Sequence, residues 1–220
     1  MSLPFTPEAF FQLFADYNAT WWPVALALWL VTAWASLRLF QGHPTSGRMM
    51  LAVLAIQWAW VAIVYHALLF TRINPAAWIF SAMFLLESGL LARRARTDHS
   101  RLSFSSSPLG VLAAGFVVYS LAYPAIVLAE GHAFPRMPTF GVPCPTTILT
   151  IGVLLAAEPL PAAIAVVPLA WGFIGGSAAF LLGVRADLAL LAAGVAMGTT
   201  LLLRVTLSHR SPSHDGRQAR

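Results

Sequence analysis

The sequence predicts an all-α fold: an integral membrane bundle of about seven transmembrane helices, preceded by a short amphipathic helix in the membrane interface. Hydrophobic residues make up 59% of the 220 residues and charged residues only 10%. Soluble globular chains carry about 25% charged residues. The mean hydropathy is +0.76, and apolar runs close to the roughly 20 residues that a spanning helix needs recur along the chain. A water-soluble domain and a disordered chain are therefore both excluded.

The first predicted element is the interfacial helix within residues 1–20. Thr6 can cap it, and Pro7 suits the first helical position. Its two faces differ in polarity, with Phe10, Phe11, Leu13 and Phe14 on one side and Glu8, Gln12 and Asp16 on the other. A helix with this pattern is expected to lie in the interface and not to cross it. Because the segment lacks a basic start and is interrupted by acidic residues, we do not expect a cleaved signal peptide.

Seven spans follow between about residues 22 and 205, and together with the first helix they form one domain over residues 1–207. The fifth is the shortest. The polar residues 208–220 are predicted to be a disordered cytoplasmic tail. The predicted spans are Trp22–Phe40, Met49–Phe70, Ala77–Ala92, Leu109–Ala129, Pro145–Ala157, Ala162–Gly183 and Ala186–Val205.

The arginines set the predicted orientation. All 13 basic residues are arginines. In a membrane protein this favours cytoplasmic loops over nucleic-acid binding, since no basic run is interleaved with aromatic residues. A periplasmic N-terminus and a cytoplasmic C-terminus place most arginines inside, as the positive-inside rule requires. Inside are Arg38, Arg48, Arg93, Arg94, Arg96, Arg101, Arg204, Arg210, Arg217 and Arg220; outside are Arg72, Arg136 and Arg185.

Glycines at a spacing of four mark the last two spans. Gly172 and Gly176 lie on the sixth, and Gly194 and Gly198 on the seventh. Antiparallel neighbours would bring Gly172 and Gly194 to the same depth, where small residues allow close backbone approach. The alternative is that Gly175, Gly176 and Ser177 interrupt a helix beside a cavity. Such faces could also hold a second copy or another subunit, so the predicted partners are the bilayer, a small solute or ion, and a homo- or hetero-oligomer.

Glu87 is the one charged residue that falls cleanly within a predicted span. A carboxylate at that depth is costly and is therefore a functional candidate, here for proton coupling. Gln57 falls at a comparable depth on the second span. The alternative is that Glu87 reaches the headgroups or pairs with Arg38, Arg93 or Arg204.

A larger polar set converges on the outer leaflet. The predicted binding residues are His66, Asn74, Tyr119, Tyr123, Glu130, Cys144, Thr146 and Thr147. Tyr119 and Tyr123 share a helix face ahead of a kink at Pro124. Pro145 suits a first helical position, so the free backbone N–H groups at that helix start could attract an anion or a carbonyl oxygen.

Cys144 is the only cysteine, so no disulfide within the chain is expected. At a helix start its thiol would be a nucleophile or a soft-metal ligand, with His66, Glu130 or His132 as partner. The metal signature is weak because no paired ligand motif occurs, and no cofactor or metal is predicted. The alternative is that the prolines shape a turn and Cys144 packs as a small hydrophobe.

Several strings resemble one bacterial membrane family. They are residues 3–10 (LPFTPEAF), Tyr65-His66, 73–77 (INPAA), 143–147 (PCPTT), and Trp171 followed by 174–179 (IGGSAA), Leu182-Gly183 and Asp187. The chain is similar over nearly its whole length to domain of unknown function 6064. The resemblance implies a small multi-span protein of the bacterial inner membrane. It implies no activity, cofactor or site.

Three functions remain open from the sequence. The first is transport or binding of a small solute or ion at the outer polar site, with no enzyme activity. The second is a structural or assembly subunit of a membrane complex. The third is a membrane enzyme that uses Cys144 and His66 at the outer interface.

The orientation is testable with reporter fusions. Alkaline phosphatase fused after Arg136 should be active, because the rule for positive charges puts that loop in the periplasm. A fusion after Arg96 should be inactive, while a fluorescent protein at the same point should fold and fluoresce. The opposite pattern would overturn the predicted orientation.

Overall fold

The computed structural model describes residues 4–97, 102–160 and 162–210, and within them the chain is helical. Seven α-helices occur in these ranges, and the only strand-like feature there is a single antiparallel bridge between Leu102 and Ala157. The all-α class is confirmed. The helices are α1 Pro7–Phe40, α2 Ser46–Trp60, α3 Ala77–Thr97, α4 Pro108–Ala129, α5 Pro143–Leu155, α6 Val166–Leu182 and α7 Leu188–Arg210. Arg101, Arg217, Arg220 and most of the predicted tail lie outside the described residues, although α7 continues through the tail's first residues, 208–210.

Five helical segments in the described part of the chain are long and apolar enough to cross a membrane. They are α1, α2 with its extension to Arg72, α4, α6 with the turn before it, and α7. The other two predicted spans are not confirmed. Polar and basic residues such as Glu87 and Arg94 make α3 less apolar. The 13 residues of α5 extend about 20 Å at 1.5 Å per residue, less than a hydrocarbon core of about 30 Å.

The outward faces of these helices are apolar. Large hydrophobic side chains are exposed on α1, α2, α4, α6 and α7, including Trp34, Ile56, Val111, Phe180 and Leu202. Such a surface is compatible with a membrane location, because soluble proteins rarely leave apolar patches of this extent uncovered.

The predicted separate interfacial helix is wrong. α1 is one helix of 34 residues from Pro7 to Phe40. Its start is as predicted: the Thr6 hydroxyl accepts the backbone N–H of Ala9 at 3.2 Å, and Pro7 follows. Pro23 lies inside the helix without ending it. Its first turns pack against the bundle, where Phe10 and Phe14 are buried.

The second predicted span is helical throughout, but it changes type. After Trp60 the α-helix opens into a π-helix over Val61–Leu69, followed by a 3-10 turn over Phe70–Arg72. Wide turns of this kind are frequent at functional sites. This π-helix carries Tyr65 and His66.

The short helix α5 is the centre of the bundle. It contacts α2, α4, α6 and α7. The helices α1 and α3 lie further out and pack against α2. Every residue of α5 except Cys144 is buried. A helix that is apolar on all sides belongs in such a position.

The contacts between loops define two ends of the bundle. At one end, which we call the cavity end, α5 begins, and Tyr119 of α4 bonds to Ala186 before α7. At the other, which we call the basic end, Arg48 bonds to the carbonyl of Ala95, and the bridge at Leu102 meets the end of α5. The chain's alternation between the ends groups the described arginines as the sequence predicted. The basic end holds Arg38, Arg48, Arg93, Arg94, Arg96, Arg204 and Arg210; the cavity end holds Arg72, Arg136 and Arg185.

The predicted meeting of the glycines on α6 and α7 is confirmed. A Cβ placed on Gly172 would lie 2.9 Å from the Cα of Gly194, and one on Gly176 would lie 2.9 Å from the backbone nitrogen of Leu191. The α6 helix runs through Gly175 and Gly176 without interruption. These glycines therefore serve packing within the chain, and oligomerisation through glycine-rich faces stays a prediction.

Gly172→Ala should destabilise the bundle by about 1–3 kcal/mol, because the new methyl group overpacks a backbone-to-backbone contact. Gly89→Ala is the matched control, since nothing lies within 4 Å of a Cβ at Gly89 of α3. It should be neutral or stabilising by about 0.5–1 kcal/mol, as alanine is the better helix former. Thermal unfolding in one detergent compares them, and equal midpoints would contradict the close approach.

Candidate functional site

A cavity of about 430 Å³ opens among the helix ends at the cavity end of the bundle. Segments from α1, the π-helix, α3, α5, α6 and the turn before α7 contribute to its walls. Seven of the residues that line it are aromatic: Phe5, Phe10, Phe14, Tyr65, Phe70, Phe80 and Trp171. The lining also includes an amide, a thiol, a hydroxyl and a carboxylate, which belong to Asn74, Cys144, Ser177 and Asp187.

Asp187 is the acidic group of this cavity. It ends a 3-10 turn, Arg185–Asp187, that joins α6 to α7, and it is 6% exposed. The Tyr123 hydroxyl donates to its Oδ1 at 2.5 Å. The Cys144 thiol lies close enough to the same carboxylate to interact with it electrostatically. The hydroxyl from α4 thus fixes the carboxylate at the wall of the cavity, with the thiol from α5 beside it.

The thiol of Cys144 is therefore paired with a carboxylate and not with a histidine. α5 begins at Pro143, two residues earlier than predicted. With Pro143 and Pro145 among its first residues, the helix start has few backbone N–H groups to offer, since proline has none. The predicted anion site at this helix start lacks the donors that it would need.

The loop before α5 is held by α1. The Tyr17 hydroxyl lies 3.0 and 3.1 Å from the carbonyl oxygens of Phe140 and Gly141, and it accepts the indole N–H of Trp60 at 3.0 Å. Gly141 has a φ of +72°, and a Cβ there would lie 2.6 Å from the Tyr17 oxygen. Only glycine fits this approach, so the position of Cys144 depends on it.

Asn18 completes this anchor. Its amide donates to the carbonyls of Pro135 and Met137 at 2.7 and 2.8 Å, and its carbonyl accepts the Thr139 hydroxyl at 2.6 Å. Three hydrogen bonds from this one buried side chain fix the course of the 135–139 segment. Moving the segment would leave the buried Asn18 amide without partners, which is costly.

His66 lies in an aromatic cage beneath the cavity. It is fully buried, and neither ring nitrogen has a hydrogen-bond partner. Its ring centroid lies 4.6 Å from that of Phe84 and 5.1 Å from that of Trp171, both edge to face. Cys144 and His66 are therefore not a hydrogen-bonded pair, and the enzyme function predicted for them stays a prediction.

Thr146 and Thr147 point into the protein interior and not into the cavity. Both are fully buried, and neither hydroxyl has a partner. Deeper on α5, Thr150 donates to the carbonyl of Thr146 at 2.7 Å and accepts the indole N–H of Trp58 at 2.8 Å. A polar line thus continues from the start of α5 towards its middle.

Glu87 is fully buried in the core face of α3, and both of its carboxylate oxygens lack a hydrogen-bond partner. It does not reach the headgroups. Gln57 on α2 is also buried; its amide donates to Thr32 of α1, while its own carbonyl oxygen has no partner. Buried polar groups without partners are uncommon in native proteins and call for an explanation.

The remaining predicted residues have separate positions. Asn74 lines the cavity, but its Oδ1 also accepts the N–H of Ala76 at 3.0 Å and so starts α3. Tyr119 donates to the carbonyl of Ala186 at 2.9 Å. Glu130 ends α4 with one carboxylate oxygen buried and unpartnered. His132 stacks on Phe11 at 5.1 Å. Neither Glu130 nor His132 lines the cavity.

The profile of a family of unknown function, DUF6064, matches residues 7–213. The chain belongs to this family. No curated protein and no solved structure matches the chain. The DUF6064 fold and its cavity are therefore interpreted from their own chemistry.

Sequence reasoning missed the central role of Asp187 in this DUF6064 chain. An aspartate directly before an apolar helix is the usual sign of a helix cap, so its position alone does not indicate a cavity. Trp171 was also missed, because most tryptophans in membrane proteins lie at the interface. The spacing of Tyr119 and Tyr123 was the usable signal, since both hydroxyls contact the turn at Ala186 and Asp187.

Within the ranges that the structure describes, no group of three or more histidine, cysteine, aspartate or glutamate residues could hold a metal ion. The weak metal candidates lie in three separate places. His66 is in an aromatic cage, Cys144 is beside the Asp187 carboxylate, and His132 is stacked on Phe11.

Tyr123→Phe should destabilise the DUF6064 bundle by about 1.5–3 kcal/mol, because it removes a buried donor to a carboxylate. Tyr119→Phe is the control on the same helix face. Its hydroxyl bonds to a neutral carbonyl, so its loss should cost about 0.5–1.5 kcal/mol. Denaturant unfolding in mixed micelles measures the difference, and a larger loss for Tyr119→Phe would refute the assignment.

Proposed function

We propose that this DUF6064 protein binds a small organic cation with an apolar body in the cavity at Asp187. The observation that carries the proposal is the composition of the cavity wall: one carboxylate set among seven aromatic side chains. The described lining residues include no arginine. A positively charged group entering this space would meet an acceptor and no competing cation.

The hydrogen bonds around Asp187 support the charge preference. Tyr123 donates to the carboxylate and Cys144 lies beside it, and the carboxylate lines the cavity as an acceptor. An anionic ligand would be repelled by this carboxylate. A neutral apolar ligand would fill the aromatic space without using it.

The aromatic walls support the same ligand class. Faces of tryptophan, tyrosine and phenylalanine attract cations, and aromatic cages are a frequent way to bind quaternary ammonium groups. Phe80 and Trp171 stand edge to face with ring centroids 5.2 Å apart. A volume of about 430 Å³ lies within the range of small-molecule sites.

Transport is the further step that the sequence suggested. It requires a path from the cavity towards Glu87, and Glu87 is not among the described residues of the cavity wall. The proposal is therefore limited to binding. The role of structural or assembly subunit stays a prediction.

The test uses the full-length protein in nanodiscs of neutral lipid. Binding of benzyltrimethylammonium is measured by calorimetry and compared with neopentylbenzene, which has the same shape and no charge. The wild-type protein should prefer the cation. Asp187→Asn should weaken cation binding about tenfold or more, since one favourable charge interaction is lost, and should leave the neutral compound almost unaffected.

Asp16→Asn is the matched control, because Asp16 is an exposed carboxylate in the first half of α1 and does not line the cavity. It should bind the cation as the wild type does. If Asp187→Asn is poorly folded, Trp171→Leu tests the aromatic contribution and should also weaken cation binding selectively. Equal binding of the charged and neutral compounds by the wild type would sink the proposal.

A further inference from the structure

A second recess lies at the basic end, on the outer surface between α2 and α3. Its volume is about 520 Å³. Its mouth carries Thr45, Arg48 and Arg96, all exposed, and its floor is apolar. The floor consists of Met49, Ala52, Ala55, Ile56, Ala92 and Ala95. We call this recess the α2–α3 groove.

The groove owes its shape to small side chains on two packed helices. Ala52 and Ala55 of α2 face Ala92 and Ala95 of α3, where larger residues would fill the space. The Ser88 hydroxyl donates to the carbonyl of Ala55 at 2.8 Å and holds the helices together at the inner end of the groove. The floor therefore runs from the arginines towards the middle of α2.

The two arginines come from different helices and meet at one mouth. The Nε–H of Arg48 donates to the carbonyl of Ala95 at 3.1 Å, which fixes the guanidinium across the groove. A guanidinium has five N–H donors, and this bond uses one of them. The described lining of the groove contains no carboxylate, so the charge at the mouth is positive.

We propose that the α2–α3 groove binds an anionic phospholipid, with its phosphate at Arg48 and Arg96 and an acyl chain along the alanine floor. Arginine pairs suit phosphate because the planar guanidinium donates two parallel hydrogen bonds. Basic recesses between membrane helices bind anionic headgroups in this way. The floor is continuous with the exposed apolar surface at Ile56, which is 62% exposed, so an acyl chain has an open path into the groove.

Charge complementarity separates this occupant from the others. A free phosphate ion would use the arginines and leave the apolar floor uncovered. A neutral lipid would cover the floor and leave the arginines without a counter-ion. A helix from a second copy would need acidic residues to meet Arg48 and Arg96. An anionic phospholipid satisfies both parts of the groove with one molecule.

The test is native mass spectrometry of the full-length protein in a neutral detergent. Phosphatidylglycerol and phosphatidylcholine with the same acyl chains are added in equal amounts. The wild type should retain phosphatidylglycerol in at least tenfold preference. The double variant Arg48→Gln, Arg96→Gln should lose that preference about tenfold, and Ala52→Phe, which fills the groove at an exposed position, should reduce retention of the same lipid.

Arg93→Gln with Arg204→Gln is the control, because these arginines lie at the same end and not in the groove. It should keep the preference. An equal loss in the control would reduce the groove to general surface charge and overturn the proposal. Displacement of the lipid by millimolar inorganic phosphate alone would indicate an anion site, and a dimer mass that disappears with the double variant would indicate a second copy; either result would also overturn it.

Discussion

The enclosure of α5 is the constraint on which the other helices depend. Since α5 is too short to span a bilayer and is covered on all sides, its ends must be connected inside the protein. At its start the Tyr17 and Asn18 side chains hold the preceding loop, and the Ser120 hydroxyl bonds to the carbonyl of Pro145 at 2.7 Å. At its end the segment after α3 pairs with Ala157. In an apolar interior these groups can find partners only within the chain.

The same enclosure explains why the candidate site is assembled from distant segments. Cys144 is placed by α5, Tyr123 by α4 and Asp187 by the turn before α7, so the three groups meet only when α4, α5 and α7 are packed. Close approach at Gly152 of α5 helps here, because a Cβ there would lie 2.8 Å from the carbonyl oxygen of Ala113. The grouping of Tyr123 and Cys144 around the Asp187 carboxylate is therefore a product of helix packing and not of a local motif.

Features with a local cause could be predicted from the sequence. The Thr6 cap and the shared face of Tyr119 and Tyr123 follow from spacing along one helix, and the meeting of Gly172 with Gly194 follows from glycine spacing on two antiparallel neighbours. The continuity of α1 could not, because Pro23 is a helix breaker by propensity and yet lies inside the helix. The π-helix at His66 gave no signal in hydropathy, which does not distinguish helix types.

The site itself was predictable only in part, for a physical reason. Polar residues are costly in an apolar chain, and their clustering at one end was visible from their order. Whether a polar side chain lines a cavity, caps a helix or packs among rings depends on contacts between elements far apart in sequence. Asn74, His132 and Asp187 were equivalent in this respect until the helices were in place.

The order of side chains down α3 connects the two buried acidic groups. Phe80 lines the cavity, Phe84 lies one turn below it in the cage around His66, and Glu87 comes next. Phe84 also lies 4.2 Å from Trp58 and 5.0 Å from Trp171, measured between ring centroids. This aromatic layer separates the cavity at Asp187 from the unpartnered carboxylate of Glu87. Along α3 these rings therefore lie between the cavity and Glu87, and binding at Asp187 needs no passage beyond them.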